Sequence, residues 1–486
     1  MDFFSRLFQF KRSKLWTRFE FANCPLPDPK LQLAWQGLQW GIFFISWNIV
    51  FAIAPLLLVM FIPWYRRFQE IVKARITQGF FLFIVCLLVV SIFALNPLES
   101  FLGVFNFLPF IIMFAGIVVL IQTPEQLRRL AWLLVIGAIP AIAIGLGQFY
   151  LGWSTYTNFD LARFVVEGSD TPGRMTGTFK HANLFAHDLA LVFAIAMGLW
   201  VDTHHRFRAL WGIRTAQYVD CNLDKHSDRN LKIQLTFLSG ILFLIATCLF
   251  LTNSRNGWIA AIATFLAFAI YHRQRIIVGM VVSLIGGVSW AAFGPNPVQT
   301  WLRWVVPKAI WSRLNGEMYQ TQAADLRTTI WQVAINLTQQ RPWTGWGLQS
   351  FGKLYEAQTH LWLGHPHNLV LMLTVSVGIP IALFFLGLVG WVLMQGILCL
   401  CDRSGDPSAK FYRLNAPDRL ILFTYLTAFG CCMIFQTTDV TIFDPRINFL
   451  GWFLLAAILG VANGTRKEAL QTPESNHRFE PELTEN

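Results

Sequence analysis

Apolar residues in this chain gather in long unbroken stretches, and the stretches recur from near the N-terminus almost to the C-terminus. They cover roughly residues 31–63, 77–95, 101–121, 130–150, 183–201, 233–252, 256–271, 275–294, 366–396, 419–437 and 444–463. As helix, at about 1.5 Å per residue, each crosses or nearly crosses a hydrocarbon layer about 30 Å thick. A membrane β-barrel would instead alternate apolar and polar residues in strands of about ten. The pattern predicts an all-α polytopic membrane protein.

The first stretch is too long for one crossing, since its helix would measure about 50 Å. Both of its flanks are basic: Arg6, Lys11, Arg12, Lys14 and Arg18 precede it, and Arg66, Arg67, Lys73 and Arg75 follow it. Basic loops stay cytoplasmic, so the stretch is predicted to be a hairpin turning near Asn48 or Pro55. This gives about 12 transmembrane helices.

With that hairpin, Arg128 and Arg129, the block 202–232, His272 to Arg275, Arg403 to Arg413, and Arg466 with Lys467 fall on the cytoplasmic side. The loops at 151–182 and 295–365 fall outside. The reading is therefore a basic tail over 1–30, one membrane domain over 31–465, and a polar, disordered tail over 466–486. Both termini are expected in the cytoplasm of a multi-pass inner (plasma) membrane protein. The N-terminal tail has no small-residue cleavage site and is expected to be retained. No cysteine falls in the outer segments, which argues against structural disulfides.

Composition sharpens the class. Of 486 residues, 55% are hydrophobic and 13% charged, with a mean hydropathy of +0.49; soluble domains carry about 25% charged residues, so a soluble enzyme and a disordered chain are both excluded. The net charge of +11 sits in short blocks beside apolar runs, as in cytoplasmic loops. No nucleic-acid partner is expected.

Polar groups gather at four places on the expected outer face. These are Gly173 to Phe179 leading to His181 and Asn183; Thr252 to Trp258, containing Arg255; Arg327 and Trp331, followed by Arg341 to Gly347; and His365-Pro366-His367-Asn368 ahead of Gly378-Ile379-Pro380. The spacing of Ile330, Val333, Ala334 and Leu337 predicts a helix ending at Arg341-Pro342.

Taken together, Arg174-x-x-Gly177-Thr178-Phe179 with a nearby Asn, Ser254-Arg255-x-x-Trp258, Arg327-x-x-x-Trp331 leading to Pro342-x-x-Gly345-x-Gly347, and His367-Asn368 before Gly378-Ile379-Pro380 resemble the O-antigen ligase and polymerase superfamily. The resemblance spans about 100–460 and extends to cyanobacterial relatives once labelled inorganic carbon transporters. It implies a membrane glycosyltransferase of polysaccharide or lipopolysaccharide biosynthesis in the cell envelope. Such an enzyme takes a glycan from an undecaprenyl diphosphate carrier and joins it to an acceptor hydroxyl on a lipid, another glycan or a protein.

The residue types suit that chemistry. A diphosphate is already a good leaving group, so its charge must be neutralised and the attacking hydroxyl deprotonated. Arg174, Arg255 and Arg327 are the candidates for holding the diphosphate, because a guanidinium binds phosphate oxygens as a fork and keeps its charge. His367, assisted by His365, is the candidate base. With no Asp-x-Asp pair in the outer segments and no phosphate-binding Gly-x-x-x-x-Gly-Lys loop expected anywhere, neither a metal nor a cofactor is expected.

Blander roles compete. Arg255 could snorkel to headgroups, Arg341 could cap its helix, His365 and His367 could satisfy backbone groups, and His187 with Asp188 could form an internal hydrogen-bonded pair. Two alternatives to the enzyme stand: a transporter of bicarbonate or another small solute, and a non-catalytic polysaccharide-assembly protein. A transporter would carry ionisable residues near the midplane or inverted repeats, whereas these spans read as nearly free of buried charge.

Overall fold

The structure, a computed structural model, describes residues 28–153, 173–216, 222–315, 317, 322–401 and 414–471. Most of the two tails, most of the loop 151–182, Cys24, Cys221 and the block from Arg403 to Arg413 lie outside the described residues.

Among the described residues every regular element is helical. In chain order these are α1 (Gln32–Ile45), α2 (Ile49–Lys73), α3 (Arg75–Ile92), α4 (Pro97–Gly103), α5 (Leu108–Leu120), α6 (Pro124–Gly137), α7 (Ile139–Leu151), α8 (Ala182–Ala216) and α9 (Asn222–Leu251). There follow α10 (Arg255–Tyr271), α11 (Arg275–Phe293), α12 (Val298–Val305), α13 (Lys308–Leu314), α14 (Gln322–Gln340), α15 (Phe351–Thr359), α16 (Leu369–Cys401), α17 (Ala416–Thr438) and α18 (Pro445–Gln471).

Among the described residues ten segments are long and apolar enough to cross a membrane, two of them built from consecutive pieces, Pro97–Leu120 and Pro124–Leu151. A further, shorter apolar helix is α10, of 17 residues, while α1, of 14 residues, is the first arm of the opening hairpin. The all-α polytopic architecture stands.

The first stretch is a hairpin. Its turn is at Asn48, whose side chain caps α2 by accepting from the backbone N–H groups of Val50 and Phe51 at 2.9 and 3.4 Å. Pro55 lies inside α2, not at the turn. The loop 295–365 is likewise no irregular connection, since it holds α12 to α15.

Loops that the alternation assigned to one side do meet at one end of the bundle. Thr178 Oγ1 donates to the carbonyl of Ser46 at 3.0 Å, Arg174 to that of Thr252 at 2.8 Å, and Leu95 N to that of Trp346 at 2.9 Å. At the opposite end Arg128 pairs with Asp418 at 2.6 Å, Arg67 with Asp28 at 2.6 Å and Lys467 with Glu70 at 2.7 Å.

The kink in α16 is where sequence and packing interlock. Gly378 has φ +79°, and Pro380 has no N–H to give the carbonyl of Ser376. The segment after α14 replaces the missing bonds. Trp346 N donates to Val375 O and Gly347 N to Ser376 O, both at 2.8 Å, while Ile379 N is turned to Pro342 O at 2.8 Å. Buried backbone groups must be satisfied inside the protein, so the Pro342-to-Gly347 motif is a patch for the break at Gly378-Ile379-Pro380. A Cβ at Gly345 or Gly378 would strike the facing backbone.

Candidate functional site

The site assembles around the turn between α17 and α18. Asp439 follows the last residue of α17, against the direction a helix dipole favours for a negative charge. It is held there by partners from two other segments. His367 Nδ1 lies 3.2 Å from Asp439 Oδ1, and Asn183 at the start of α8 donates to Oδ2 at 3.2 Å. Asp439 Oδ1 also accepts from Val440 N at 2.9 Å. His365 Nε2 stands farther off, 4.0 Å from the same oxygen.

The two histidines belong to a turn that precedes the span. The helix starts at Leu369, not at Pro366, because Asn368 caps it by accepting from Leu371 N at 3.1 Å. His367 adopts φ +52°, a left-handed conformation that costs a non-glycine residue about 1–2 kcal/mol. Its neighbours over-determine it. Asn368 Nδ2 donates to Thr437 O at 3.0 Å, Trp331 Nε1 donates to Pro366 O at 3.0 Å, and the ring of His365 packs edge-on against that of His367 at 4.5 Å. Strain held in this way is typical of functional positions.

Arg174 reaches the same cluster from the Gly173-to-Phe179 loop. Its Nε donates to Thr252 O and its Nη2 to Asn183 Oδ1, both at 2.8 Å. The first contact, with Met175 N bonded to Leu251 O at 3.1 Å, supplies carbonyls left open at the end of α9. Arg174 thus connects the end of α9 with the Asn183–Asp439 pair.

Arg255 and Arg327 differ from Arg174. Arg255 begins α10 behind its Ser254 cap, and Arg327 lies on α14 one turn before Trp331. Neither makes a hydrogen bond or ion pair to the described residues, and both are half-buried. Burial first, then the charge of Arg255, pushes the Arg327 guanidinium below its ordinary pKa, with Asp439 working the other way. Two half-buried cations close enough to repel, with Asp439 already engaged by His367 and Asn183, put positive charge beside the His–Asp cluster.

The titration states follow from the same geometry. Burial, reinforced by His367 and His181 and opposed by Asp439, depresses His365 to about 4. It is neutral at pH 7. Burial alone would raise Asp439, but the hydrogen bond from His367 and the charges of both histidines outweigh it and bring it to about 2. An ionised Asp439 takes the Nδ1–H of His367, which leaves Nε2 as the free acceptor.

His365, His367 and Asp439 each offer one ligand atom, all within 4.8 Å of one another. A cation there would break the His367–Asp439 bond and would sit beside Arg255 and Arg327. The fit to a metal is poor.

Several expectations need correction. His187 and Asp188 are both fully buried, but they do not pair: Asp188 Oδ1 accepts from Ser46 Oγ at 3.1 Å, and the His187 ring stacks on Phe435 at 4.3 Å. The spans therefore do hold a buried carboxyl. Its partner Ser46 lies in the α1–α2 turn, so it sits near the site end of the bundle, away from the midplane. Arg341 stacks on Trp346 with 4.1 Å to the ring centroid and does not cap α14 with its side chain. Gly347 to Lys353 has the Gly-x-x-x-x-Gly-Lys spacing, yet Leu354 follows where a hydroxyl is required and Lys353 pairs with Glu99 at 2.6 Å. No nucleotide loop is formed there.

Asp439 and Arg446 are the residues the sequence left without a role. Arg446 donates to Thr178 O at 3.0 Å and to Asp444 Oδ2 at 3.3 Å, and lies over Phe179 at 3.6 Å. It holds the Gly173-to-Phe179 loop from below. The signal for Asp439 was an acid at the carboxyl end of an apolar helix, where the dipole disfavours one.

Residues 240–386 match the family model described as O-antigen ligase. That stretch contains Arg255, Arg327, His365 and His367, and ends before Asp439. The match supports the place of the chain in the O-antigen ligase and polymerase superfamily and, in general terms, an O-antigen ligase-type membrane glycosyltransferase. No curated protein matches the chain.

Proposed function

We propose that this protein transfers a glycan from an undecaprenyl diphosphate carrier to an acceptor hydroxyl, on the outer face of the inner membrane. The observation that carries the reading is the pairing of two arginines without an ion pair among the described residues, Arg255 and Arg327, with a hydrogen-bonded His367–Asp439 dyad at one end of the bundle. Half-buried arginines not engaged in an ion pair with the described residues suit a diphosphate, and a histidine oriented by a carboxylate suits a base.

In this reading the acceptor hydroxyl attacks the anomeric carbon while His367 Nε2 takes its proton. The bond from that carbon to the diphosphate oxygen breaks, and Arg255 and Arg327 stabilise the charge that builds on the leaving group. Asp439 holds the imidazole with Nδ1–H turned away from the substrate and stabilises the imidazolium. Arg174 and Asn183 fix Asp439 in turn, and Arg174 approaches the diphosphate from the α9 side. His365, neutral at pH 7, packs against His367 and limits its motion. No metal takes part in any step.

The membrane domain extends over 31–465, with the site end outside and both termini in the cytoplasm, because the basic loops gather at the opposite end. The acceptor is a lipid, a glycan or a protein. A transporter is disfavoured because the arginines and the dyad cluster at one end, where a substrate would meet the outer interface.

The test is a strain lacking the protein. Carrier lipids extracted from it should hold an accumulated glycan diphosphate, and the wild-type chain should clear that accumulation while the Arg255→Ala chain should not. An unchanged carrier-lipid profile in the deletion strain would reject the reading.

A further inference from the structure

The short helix α12 is built inside out for a helix in water. Its one basic residue is turned inward: Arg303 donates to Ala291 O at 2.9 Å and lies over Trp311 at 4.0 Å. Leu302 packs with Val306 into a small cluster formed by Ala291, Ala292 and Trp311. The opposite stripe, Val298, Trp301, Trp304 and Val305, follows helical spacing and faces outward. Trp301 is 81% exposed and Trp304 89%.

This stripe continues a surface already assigned to lipid. α11 crosses the membrane with most of its residues uncovered by protein, among them Ile276, Met280 and Leu284, and it ends in exposed Trp290 and Phe293. Only Gly294 to Pro297 separate it from α12, which packs back on it. α12 therefore cannot stand far from the membrane boundary. Tryptophan concentrates at that boundary, where its ring is apolar and its N–H finds a polar partner.

From this geometry we infer that the Val298–Trp301–Trp304–Val305 face of α12 lies in the headgroup region of the bilayer, so that α12 is docked on the membrane surface. The occupant is lipid, and neither a second copy of the chain nor a soluble partner. The docking itself does not depend on the proposed activity.

The test uses the full chain in nanodiscs of phosphatidylcholine and phosphatidylglycerol, with all 20 tryptophans replaced by 5-fluorotryptophan. Trp301→Phe and Trp304→Phe each delete one fluorine resonance and so assign it; should either fail to insert, the Tyr variant gives the same assignment. A lipid carrying a nitroxide near its headgroup should broaden both resonances strongly, and a water-soluble gadolinium chelate should broaden them less. The reverse order would overturn the inference, and so would resonances insensitive to both agents, which would mean that protein covers the face.

Discussion

His367 Nδ1 and Asp439 Oδ1 are 3.2 Å apart, although 72 positions separate the two residues. The contact joins the turn before α16 to the turn after α17, and both turns are pinned by Asn368 through its bond to Thr437 O. One carboxylate therefore fixes the tautomer of the histidine.

The dyad makes its own prediction. His367→Gln keeps a hydrogen-bonding side chain but cannot accept a proton at neutral pH, and Asp439→Asn keeps the shape but removes the charge that stabilises the imidazolium. Each should lower glycan transfer by about 10² to 10⁴-fold while binding of undecaprenyl diphosphate survives. Near-normal turnover in His367→Gln would reject the base.

The arginines should behave in the opposite way. Arg255→Ala and Arg327→Ala should both lose binding of undecaprenyl diphosphate, measured by native mass spectrometry against undecaprenol as the control, and Lys should restore it poorly because it lacks the fork. Since the two guanidiniums repel, either substitution should leave the apparent melting temperature of the protein without added carrier lipid unchanged or higher. Full transfer by both Ala variants would remove the diphosphate assignment.

His365 gives a pH dependence of stability. Its folded pKa is near 4 against an ordinary 6.5, so between those values the unfolded chain binds a proton that the folded chain does not. Stability should fall as pH drops from about 6.5 to about 4, by on the order of 1–3 kcal/mol. Asp439 adds nothing in that window, because its own stabilisation is lost only as pH falls from about 3.8 toward about 2. Melting curves of the detergent-solubilised protein should therefore flatten across this window in His365→Gln. An equally steep loss in that variant would assign the effect to another group.

Chelation tests the metal question at the His365–His367–Asp439 cluster. Transfer should be unchanged after EDTA treatment and dialysis. A loss restored by one divalent cation would convert the dyad into a ligand set.

The sequence by itself determined the membrane class, a hairpin with its turn near Asn48 or Pro55, the helix-breaking Gly378-Ile379-Pro380 motif and the polar clusters at one end. These follow from local physics: apolar run length, basic flanks, and the missing N–H of proline. It also marked Arg174, Arg255, Arg327, His365 and His367, because motifs placed them in polar turns between spans. Only the tertiary structure decided their relations. Arg174 is spent on Thr252 and Asn183 while Arg255 and Arg327 are not, a difference invisible along the chain because it depends on which helix ends meet. Asp439 and Arg446 found roles only through partners at long sequence separation. Asp188 is tied to Ser46, 142 positions away, where the sequence offered His187 beside it; on a helix, adjacent residues point in different directions, and the approach of the α1–α2 turn to α8 chose the partner.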